Sequence, residues 1–410
     1  MEKKQRMDWI LLVITALLAV FGVVMVYSAS AMISDRETDG ATQYAYFYKQ
    51  AAFTAIGLVL MIAASRFNYR WLMKPWIVYG VLFVTVVLLA AVFAFPPVNG
   101  ARRWIRIGGF SLQPSEMAKI ALPLFAAYFL TKNEDSIGNL KETVIPCVAV
   151  LGVVGGLVFF EPDLGTVIVL CAIFVAVYFS AGAKFLHIAA VGAGLLAVGV
   201  AALVYAPWRI ERLIAFMDPF EKADSSGYQV VQSLYAIGSG GVFGEGFGRG
   251  EQKLFYLPYP HSDFIFAVVG EELGLIGAMA VLVAFGLLLW RGARSALLAP
   301  ERFGMLLGIG LITGIIVQAL FNISVVISIL PPKGIPLPFI SYGGSSILVT
   351  LVSVGILLNI SQYSGYVSLE NGLHRTQTPR KERKARRVKK GRKVTRKRPV
   401  KSKAKVKMGA

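Results

Sequence analysis

Cysteine, histidine and charged side chains are all scarce in this sequence of 410 residues. Cys147 and Cys171 are the two cysteines, and both lie inside apolar runs, which excludes a disulfide framework. The three histidines form no Cys/His motif, so a zinc site is not expected. Charged residues make up 16% and hydrophobic residues 56% of the chain, whereas soluble domains have about 25% and about 45–50%. The composition therefore excludes an ordinary soluble protein and predicts that much of the chain meets lipid.

The formal net charge of +19 is concentrated in the last part of the chain. From Arg375 onward lie 18 of the 42 Lys and Arg residues but only one of the 23 acidic residues. Such a low-complexity, highly charged segment predicts a disordered cytoplasmic tail at residues 364–410. Its basic side chains are expected to contact anionic lipids of the inner leaflet. No aromatic residues alternate with the basic ones, so nucleic acid is not an expected partner.

Ten apolar windows are long enough to cross the ~30 Å hydrocarbon layer of a membrane. They are residues 9–30, 48–65, 76–95, 114–131, 143–160, 165–181, 186–206, 264–290, 303–325 and 342–363. With a cytoplasmic N-terminus, the inner loops carry most of the basic residues that precede the tail, as the positive-inside rule requires. The sequence therefore predicts an all-α polytopic membrane protein of about ten transmembrane helices with both termini cytoplasmic. Residues 1–8 form the cytoplasmic N-terminus in this scheme, and residues 9–363 form the membrane domain.

One predicted outer segment, residues 207–263, is far longer than the other loops. Loops longer than about 12–15 residues are often functional. This one contains amphipathic pieces at Trp208–Met217 and Tyr228–Ile237 and the glycine-rich run GSGGVFGEGFGRG at residues 238–250. The run lacks the GK[ST] sequence and the preceding strand of a P-loop. It is expected to form a flexible or re-entrant connection.

A shorter outer loop, residues 96–113, carries Arg102, Arg103 and Arg106 against the charge pattern of the other loops. A basic cluster on the outer face suits the binding of an anionic ligand, since Arg binds phosphate with two parallel hydrogen bonds. The alternative is that these side chains extend to the membrane interface beside an anchoring Trp104. Ligand binding is the favoured interpretation.

Several ionisable residues lie inside or beside the predicted spans, where charges usually face a cavity or a partner. Glu116 and Lys119 share one face of the fourth span. They form either a structural ion pair or the polar wall of an outward cavity in which Lys119 meets an anionic group. Asp163 follows Glu161 in a tight outer turn, where it either caps the sixth helix or belongs to a site.

Asp263 is the strongest candidate for a catalytic side chain. It ends the long outer segment at the outer boundary of the membrane, where the N-terminus of the eighth span is expected to favour its ionised form. A carboxylate in this position can act as a general base toward a substrate hydroxyl, or it can simply cap the helix. Glu271 and Glu272 follow about two turns later, so close together that at least one is expected to be protonated or paired.

Six motifs occur in a fixed order along the chain. They are NGARRWI, QPSE, EPDLGT, DPF followed by GYQ, LPYPHSDFIFAVVGEELG and PLPFISYGGSS. Together they resemble the SEDS family (shape, elongation, division and sporulation) over about residues 9–363. The resemblance implies a ten-helix glycosyltransferase that polymerises lipid II into peptidoglycan at the outer face of the cytoplasmic membrane. The stretch PPKGIPLPFISYGGSS and the basic extension are more similar to the septal, FtsW-type branch, with elongation or sporulation roles as alternatives.

The resemblance also implies roles for individual side chains. Asp263 matches the expected catalytic base, which takes a proton from the acceptor sugar of lipid II in an inverting transfer. The leaving pyrophosphate needs cationic help, for which Arg102, Arg103 and Lys119 are the candidates.

The remaining candidate residues have two interpretations each. A divalent cation (Mg or Mn) held by Glu116 or Asp163 is the alternative to a basic side chain at the pyrophosphate, and no other cofactor is expected. Trp104 is expected to stack on a sugar or to anchor its loop. Ser341 and Ser345 are expected to hydrogen-bond in the pocket or to allow close helix packing.

The expected partners follow from the same resemblance. They are lipid II, the undecaprenyl-pyrophosphate-linked glycan, a class B penicillin-binding transpeptidase and proteins of the division complex. The expected location is the bacterial cytoplasmic membrane at the division septum. Two other functions stay open, a lipid II flippase and a scaffold for the transpeptidase. A polymeric product distinguishes the enzyme from the flippase.

Overall fold

A computed structural model describes residues 6–363 apart from residues 99, 108–109, 205–209, 211–215, 224, 226 and 255. The predicted cytoplasmic tail, its contact with anionic lipids and most of the piece Trp208–Met217 lie outside the described residues.

Eleven α-helices occur in the described part of the chain, and ten of them coincide with the predicted apolar windows. The helices are α1 (Trp9–Glu37), α2 (Ala45–Arg66), α3 (Pro75–Ala91), α4 (Pro114–Lys132), α5 (Ile145–Phe160), α6 (Leu164–Ser180), α7 (Phe185–Val204), α8 (Tyr228–Gly240), α9 (Ile265–Leu297), α10 (Arg302–Val326) and α11 (Gly344–Ser361). The additional helix, α8, forms where the sequence predicts the second amphipathic piece of the outer segment.

Length and apolar composition mark most of these helices as membrane-spanning. Seven helical segments of the described residues are long and apolar enough to cross a membrane, and they contain α1, α2, α3, α5, α9, α10 and α11. Helix α4 carries Glu116 and Lys119 in its sequence, and α6 has 17 residues. The chain is therefore a helical polytopic membrane protein, as predicted, while the count of ten spans and the extent of the outer segment stay predictions.

Helix α10 lies at the centre of the bundle, and most of its side chains are buried. It packs against α4, α6, α9 and α11. Close helix packing elsewhere depends on small residues, as between α2 and α11, where a Cβ on Gly355 would lie 2.5 Å from the main-chain oxygen of Met61. Since α10 is surrounded by protein, its polar side chains Gln318 and Asn322 face other helices and loops rather than lipid.

A short β-hairpin precedes α4 in the outer loop of residues 96–113. Strand β1 (Ile105–Ile107) pairs antiparallel with β2 (Phe110–Leu112), with Ile105 opposite Leu112. Pro114 then starts α4, where its fixed φ and missing N–H suit the first helical turn. The hairpin brings the residues just before β1 and just after β2 to the outer end of α4.

Helix α9 is broken near its outer end at Gly274, whose φ of 65° is accessible to glycine at low cost. The break leaves helical carbonyl and N–H groups without partners, and the glycine-rich run supplies them. The N–H of Glu245 donates to the oxygen of Glu271 at 3.0 Å, and the N–H of Leu275 donates to the oxygen of Gly241 at 2.9 Å. The run is thus bound to α9 by main-chain hydrogen bonds.

A buried ion pair holds the end of the glycine-rich run against α1 and α9. The Lys253 Nζ lies 2.5 Å from Glu272 Oε1 and donates to Ser28 Oγ at 2.9 Å. The neighbouring Glu271 instead accepts main-chain N–H groups from the two residues just after the run, from Glu251 at 2.6 Å and from the next residue at 2.8 Å. The expectation that at least one of the two adjacent acids is paired is confirmed for Glu272.

Candidate active site

Asp263 lies in the turn between the long outer segment and α9. The helix begins at Ile265, and its N-cap residue, Phe264, makes no side-chain cap. Asp263 therefore does not occupy the capping position that was the alternative to a catalytic role. Its main-chain oxygen accepts a hydrogen bond of 2.7 Å from Asn322 Nδ2 of α10, which fixes the turn against the central helix.

The electrostatic surroundings of the Asp263 carboxyl differ from those expected. Burial raises its pKa from 3.8 to about 6, and the nearby Asp163 adds to the rise, while a hydrogen bond from Ser262 and the charge of Arg103 oppose it. Desolvation thus outweighs the interactions that lower the pKa, and the expected effect of the helix N-terminus on the ionised form stays a prediction. A carboxyl with this pKa is mostly ionised at neutral pH and still basic enough to accept a proton.

Arg103 is the basic side chain that the structure brings to Asp263. Its Nε donates to the main-chain oxygen of Glu161 at 3.0 Å, and its Nη2 donates to that of Pro162 at 2.5 Å. A Cβ on Gly334 would lie 3.2 Å from Asp263 Oδ2 and 3.8 Å from Arg103 Nη1. The carboxylate and the guanidinium therefore both lie next to Gly334, where a larger residue than glycine would crowd the carboxylate.

Arg102 and Trp104 flank Arg103 but are not joined to Asp263 by any hydrogen bond, ion pair or ring contact among the described residues. Arg102 is exposed and donates from Nη1 to the main-chain oxygen of Phe93 at 2.8 Å. Arg103 is thus the arginine whose charge acts on Asp263, and the role of Arg102 in ligand binding stays a prediction.

Glu161 contributes a second buried acid beside Arg103. Its side chain is fully buried, and neither carboxylate oxygen has a hydrogen-bond partner among the described residues. Its pKa is raised from 4.5 to about 8, chiefly by burial and also by the neighbouring Asp163, while the charge of Arg103 opposes the rise. Glu161 is therefore protonated at neutral pH, which avoids an uncompensated buried charge.

Asp163 caps α6, as one of its two interpretations predicts. Its carboxylate accepts from the Thr166 N–H at 3.1 Å, from Thr166 Oγ1 at 2.9 Å and from Gln113 Nε2 at 3.2 Å. Gln113 also donates its N–H to Ser345 Oγ at 3.3 Å. These contacts join the hairpin, α6 and α11 next to the Asp263 turn.

Glu116 and Lys119 form the ion pair that the sequence allows, with Nζ and Oε2 2.7 Å apart. Lys119 also donates to Gln318 Oε1 at 2.5 Å, and Gln318 Nε2 donates to the Pro336 oxygen at 2.8 Å. Lys119 and Gln318 line a cavity of about 20 Å³ together with Thr350 and Ser353. The polar cluster thus has room for about one water molecule beside the ammonium group.

The segment of residues 331–346, PPKGIPLPFISYGGSS, packs on the Asp263 turn. Ser341 Oγ donates to the Ser262 oxygen at 2.5 Å and accepts from the Leu337 N–H at 2.7 Å. The Tyr342 N–H donates to the His261 oxygen at 2.8 Å. Ser341 and Ser345 are therefore both hydrogen-bonded to main-chain groups. Ser341 holds the Asp263 turn through the Ser262 oxygen.

Three site residues escaped the sequence analysis: Asn322, Gln318 and Gln113. Asn322 donates to the oxygens of both Asp263 and Ile335, so one amide joins the turn to the 331–346 segment. A signal for two of them exists, since Gln318 and Asn322 are amides four residues apart in an apolar span and therefore share one helix face. Gln113 begins the QPSE motif, but nothing in that motif marks its side chain as a partner of Asp163.

The divalent cation expected at Glu116 or Asp163 stays a prediction. In the described part of the chain, no group of three or more His, Cys, Asp or Glu side chains is placed to hold a metal ion. The Glu116 carboxylate is paired with Lys119, and that of Asp163 is bonded to Thr166 and Gln113.

The fold and the site define a polytopic membrane protein with a buried aspartate and an arginine near each other at one end of its helix bundle. The chain belongs to the FtsW/RodA/SpoVE family, described as cell cycle proteins, whose model matches residues 8–366. The family predicted from the motifs is thereby confirmed.

Relatives and solved structures agree with this assignment. The chain is 40% identical to stage V sporulation protein E of Bacillus subtilis, over 89% of this chain and 99% of the relative. It is 42% identical to a probable peptidoglycan glycosyltransferase FtsW of Trichlorobacter lovleyi, over 86% and 93%. A chain of a peptidoglycan synthase complex, described as coordinating polymerization and crosslinking, superposes with a TM-score of 0.71 at 26% identity, over 88% and 99%. The rod shape determining protein RodA of Thermus thermophilus gives a TM-score of 0.64 at 27% identity, over 88% and 98%.

Proposed function

We propose that the chain is a peptidoglycan glycosyltransferase that polymerises lipid II at the outer face of the cytoplasmic membrane, with Asp263 as its general base. The observation that carries the proposal is the buried Asp263 carboxylate with the charge of Arg103 nearby, in a turn held by Asn322. Relatives named as probable peptidoglycan glycosyltransferases support the reaction class.

The proposed reaction is a single displacement with inversion at the anomeric carbon. Asp263 accepts the proton of the 4-hydroxyl of the acceptor sugar, and that oxygen forms the new bond to the anomeric carbon of the donor glycan. The bond from this carbon to the pyrophosphate oxygen breaks, and undecaprenyl pyrophosphate leaves with the electron pair. One base suffices, because no covalent glycosyl–enzyme intermediate forms.

Cationic groups stabilise the charge that develops on the leaving pyrophosphate. Arg103 is the first candidate, since it lies beside Asp263 and its position is fixed by two main-chain oxygens. Lys119 is the second candidate. It donates to Gln318, which in turn donates to the Pro336 oxygen of the 331–346 segment. Arg102 is exposed and directed to Phe93, which favours a role at the membrane interface.

The proposed biological setting is septal wall synthesis with a class B penicillin-binding transpeptidase. Similarity to FtsW relatives supports the septal role, and the similarity to a chain of a peptidoglycan synthase complex supports a crosslinking partner. The sporulation relative at 40% identity keeps a sporulation role as an alternative.

The direct test is incubation of the purified full-length chain, alone and with its cognate transpeptidase, with lipid II. We expect glycan polymers that a muramidase degrades. Absence of polymer from an intact, folded complex would contradict the proposal.

A lipid II flippase is the second candidate function, and one observation favours it. The buried Glu116–Lys119–Gln318 cluster and its cavity provide polar groups inside the helix bundle, which a headgroup pathway would need. Proteoliposomes containing the chain and fluorescent lipid II distinguish the two functions, because a flippase moves the lipid between leaflets without forming polymer.

A further inference from the structure

A second pocket lies at the opposite end of the bundle, where the positive-inside pattern puts the cytoplasm. It is open and has a volume of about 270 Å³. It forms between the start of α1 and the last turns of α9 and α11. The lining residues that matter are Arg6, Asp8, Trp9, Arg291, Arg294 and Ser361.

One arginine of the pocket is neutralised, and it fixes the shape of the pocket. Arg291 Nη2 lies 2.8 Å from Asp8 Oδ2, and its Nε donates to the same oxygen at 2.9 Å. The Asp8 carboxylate also caps α1 by accepting from the Leu11 N–H, and the Asp8 N–H donates to Ser361 Oγ. Asp8 therefore connects the ends of α1, α9 and α11. Both of its carboxylate oxygens already accept hydrogen bonds.

The other two arginines are left with their charge. No carboxylate among the described residues pairs with Arg6 or Arg294, and Asp8 is the one acidic residue that lines the pocket. The pocket thus carries three guanidinium groups against one carboxylate, a local excess of two positive charges. The helix dipole stabilises the positive charge of Arg294, because this residue lies near the C-terminus of α9. It does not stabilise the charge of Arg6, which lies before the N-terminus of α1.

The rim of the pocket is apolar and exposed. Trp9 is 60% exposed and Leu298 is 42% exposed, and the adjacent Trp290 is 57% exposed. In a membrane-spanning bundle, such side chains at the ends of the helices contact lipid chains and headgroups. A concave cationic centre with an apolar rim matches an amphiphile that has an anionic head and hydrocarbon chains.

We propose that this pocket binds an anionic glycerophospholipid of the inner leaflet, whose phosphate diester contacts Arg294 and Arg6 and whose acyl chains lie along Trp9 and Leu298. The expected contact of the basic tail with anionic lipids depends on overall charge and not on a particular headgroup. The pocket differs, because it would contact a single headgroup directly. Bound lipid would link α1, α9 and α11 at the end of the bundle opposite Asp263.

Native mass spectrometry of the delipidated full-length protein, titrated with phosphatidylglycerol or with phosphatidylcholine of the same chains, tests the proposal. We expect one phosphatidylglycerol molecule to bind saturably. Phosphatidylcholine should not bind with comparable affinity. Arg294→Gln should weaken the affinity about fivefold, and R6Q/R294Q about 25-fold, as expected for basic groups near an anionic headgroup. Arg294→Lys should keep most of the affinity, which separates loss of charge from misfolding.

The matched control is the double variant K141Q/K184Q, which removes two exposed basic residues from predicted inner loops and leaves the pocket and tail intact. Its affinity for phosphatidylglycerol should stay within about twofold of the wild type, since charge at a distance is screened. Equal weakening in both double variants would assign the binding to diffuse charge and overturn the proposal. Binding of glycerol phosphate with the same affinity would identify a soluble phosphate as the ligand, and binding of a polyglutamate peptide instead of the lipid would identify an acidic protein; either result would overturn it.

Discussion

The side-chain amide of Asn322 donates to the main-chain oxygen of Asp263 at 2.7 Å. The same nitrogen donates to the Ile335 oxygen at 2.8 Å, so a single amide of the central helix α10 holds the turn that carries the proposed base and the segment that passes behind it. The position of the Asp263 carboxylate thus depends on a residue that has no part in proton transfer.

Replacing Asn322 by leucine is expected to lower kcat for lipid II polymerisation by about 10²-fold, because a displacement of ~1 Å at the reacting groups has this effect. The KM for lipid II should change little, since the substituted side chain does not face the substrate. Steady-state kinetics of the purified variant check both values.

Asn359→Leu is the control for Asn322→Leu. Asn359 is a buried amide at the other end of the bundle, where it donates to Ser65 and accepts from the Tyr69 N–H. Its loss should destabilise the protein by about 1–3 kcal/mol and leave the rate per folded molecule near the wild-type value. Equal loss of rate in both variants would assign the effect to stability and remove the positioning role of Asn322.

Arg103→Gln is expected to move the acid limb of the pH–rate profile to higher pH by about one unit. The pKa of Asp263 is raised to about 6 by burial, and the charge of Arg103 opposes the rise, so losing that charge favours the protonated carboxyl. Arg103→Lys keeps a positive charge and should therefore move the acid limb part of the way back to its wild-type pH. Arg102→Gln is the matched control, because Arg102 is exposed and bonded to Phe93, and it should leave the profile unchanged.

Glu161→Gln is expected to stabilise the protein increasingly as pH rises. Burial raises the pKa of Glu161 from 4.5 to about 8, so the folded protein keeps a proton that the unfolded chain releases between these values. The unfolding free energy of the wild type therefore falls as pH rises from about 4.5 to about 8, and glutamine abolishes this contribution.

The advantage of Glu161→Gln should reach roughly 4 kcal/mol near pH 8 and vanish near pH 4.5. Thermal unfolding in detergent across this range measures it, with Glu142→Gln, an exposed carboxyl on the predicted inner side, as the control. A difference between Glu161→Gln and wild type that does not vary with pH would show that Glu161 keeps an ordinary pKa.

Lys253→Met is expected to destabilise the glycine-rich run and α9 by about 3–5 kcal/mol, because it leaves the buried Glu272 carboxylate without its partner. K253M/E272M should regain much of the loss, since removing both charges avoids an unpaired one. Thermal unfolding measures the stability, and limited proteolysis reports whether the run detaches. A double variant less stable than Lys253→Met would contradict the interpretation.

Hydrophobic patterning was sufficient to locate the helices. An apolar run of about 20 residues has few alternatives in lipid, so the ten windows and the ten helices coincide. The break of α9 at Gly274 was not predictable, because the groups that compensate for it are main-chain atoms of the glycine-rich run some 30 residues earlier in the chain. Main-chain hydrogen bonds leave no side-chain pattern in the sequence.

The candidate site was predictable in part. Asp263 and Arg103 stand out as charges at a membrane boundary, and the structure brings them together. Arg102 stands out equally in the sequence, and only the structure shows that its guanidinium donates to the main-chain oxygen of Phe93. The raised pKa of Asp263 was not predictable from the sequence, because burial depends on the packing of distant segments and not on the helix that begins beside it.

Polymerisation of lipid II by Asp263→Asn, measured beside the wild type with the cognate transpeptidase present, tests the central claim most directly. Asparagine keeps the size of the side chain and the main-chain bond from Asn322, but it cannot accept the proton. Asp39→Asn, in the exposed turn after α1, is the control for the same chemical change. We predict polymer from the wild type and Asp39→Asn and none from a folded Asp263→Asn complex, whereas polymer at a near wild-type rate from Asp263→Asn would show that Asp263 is not the base.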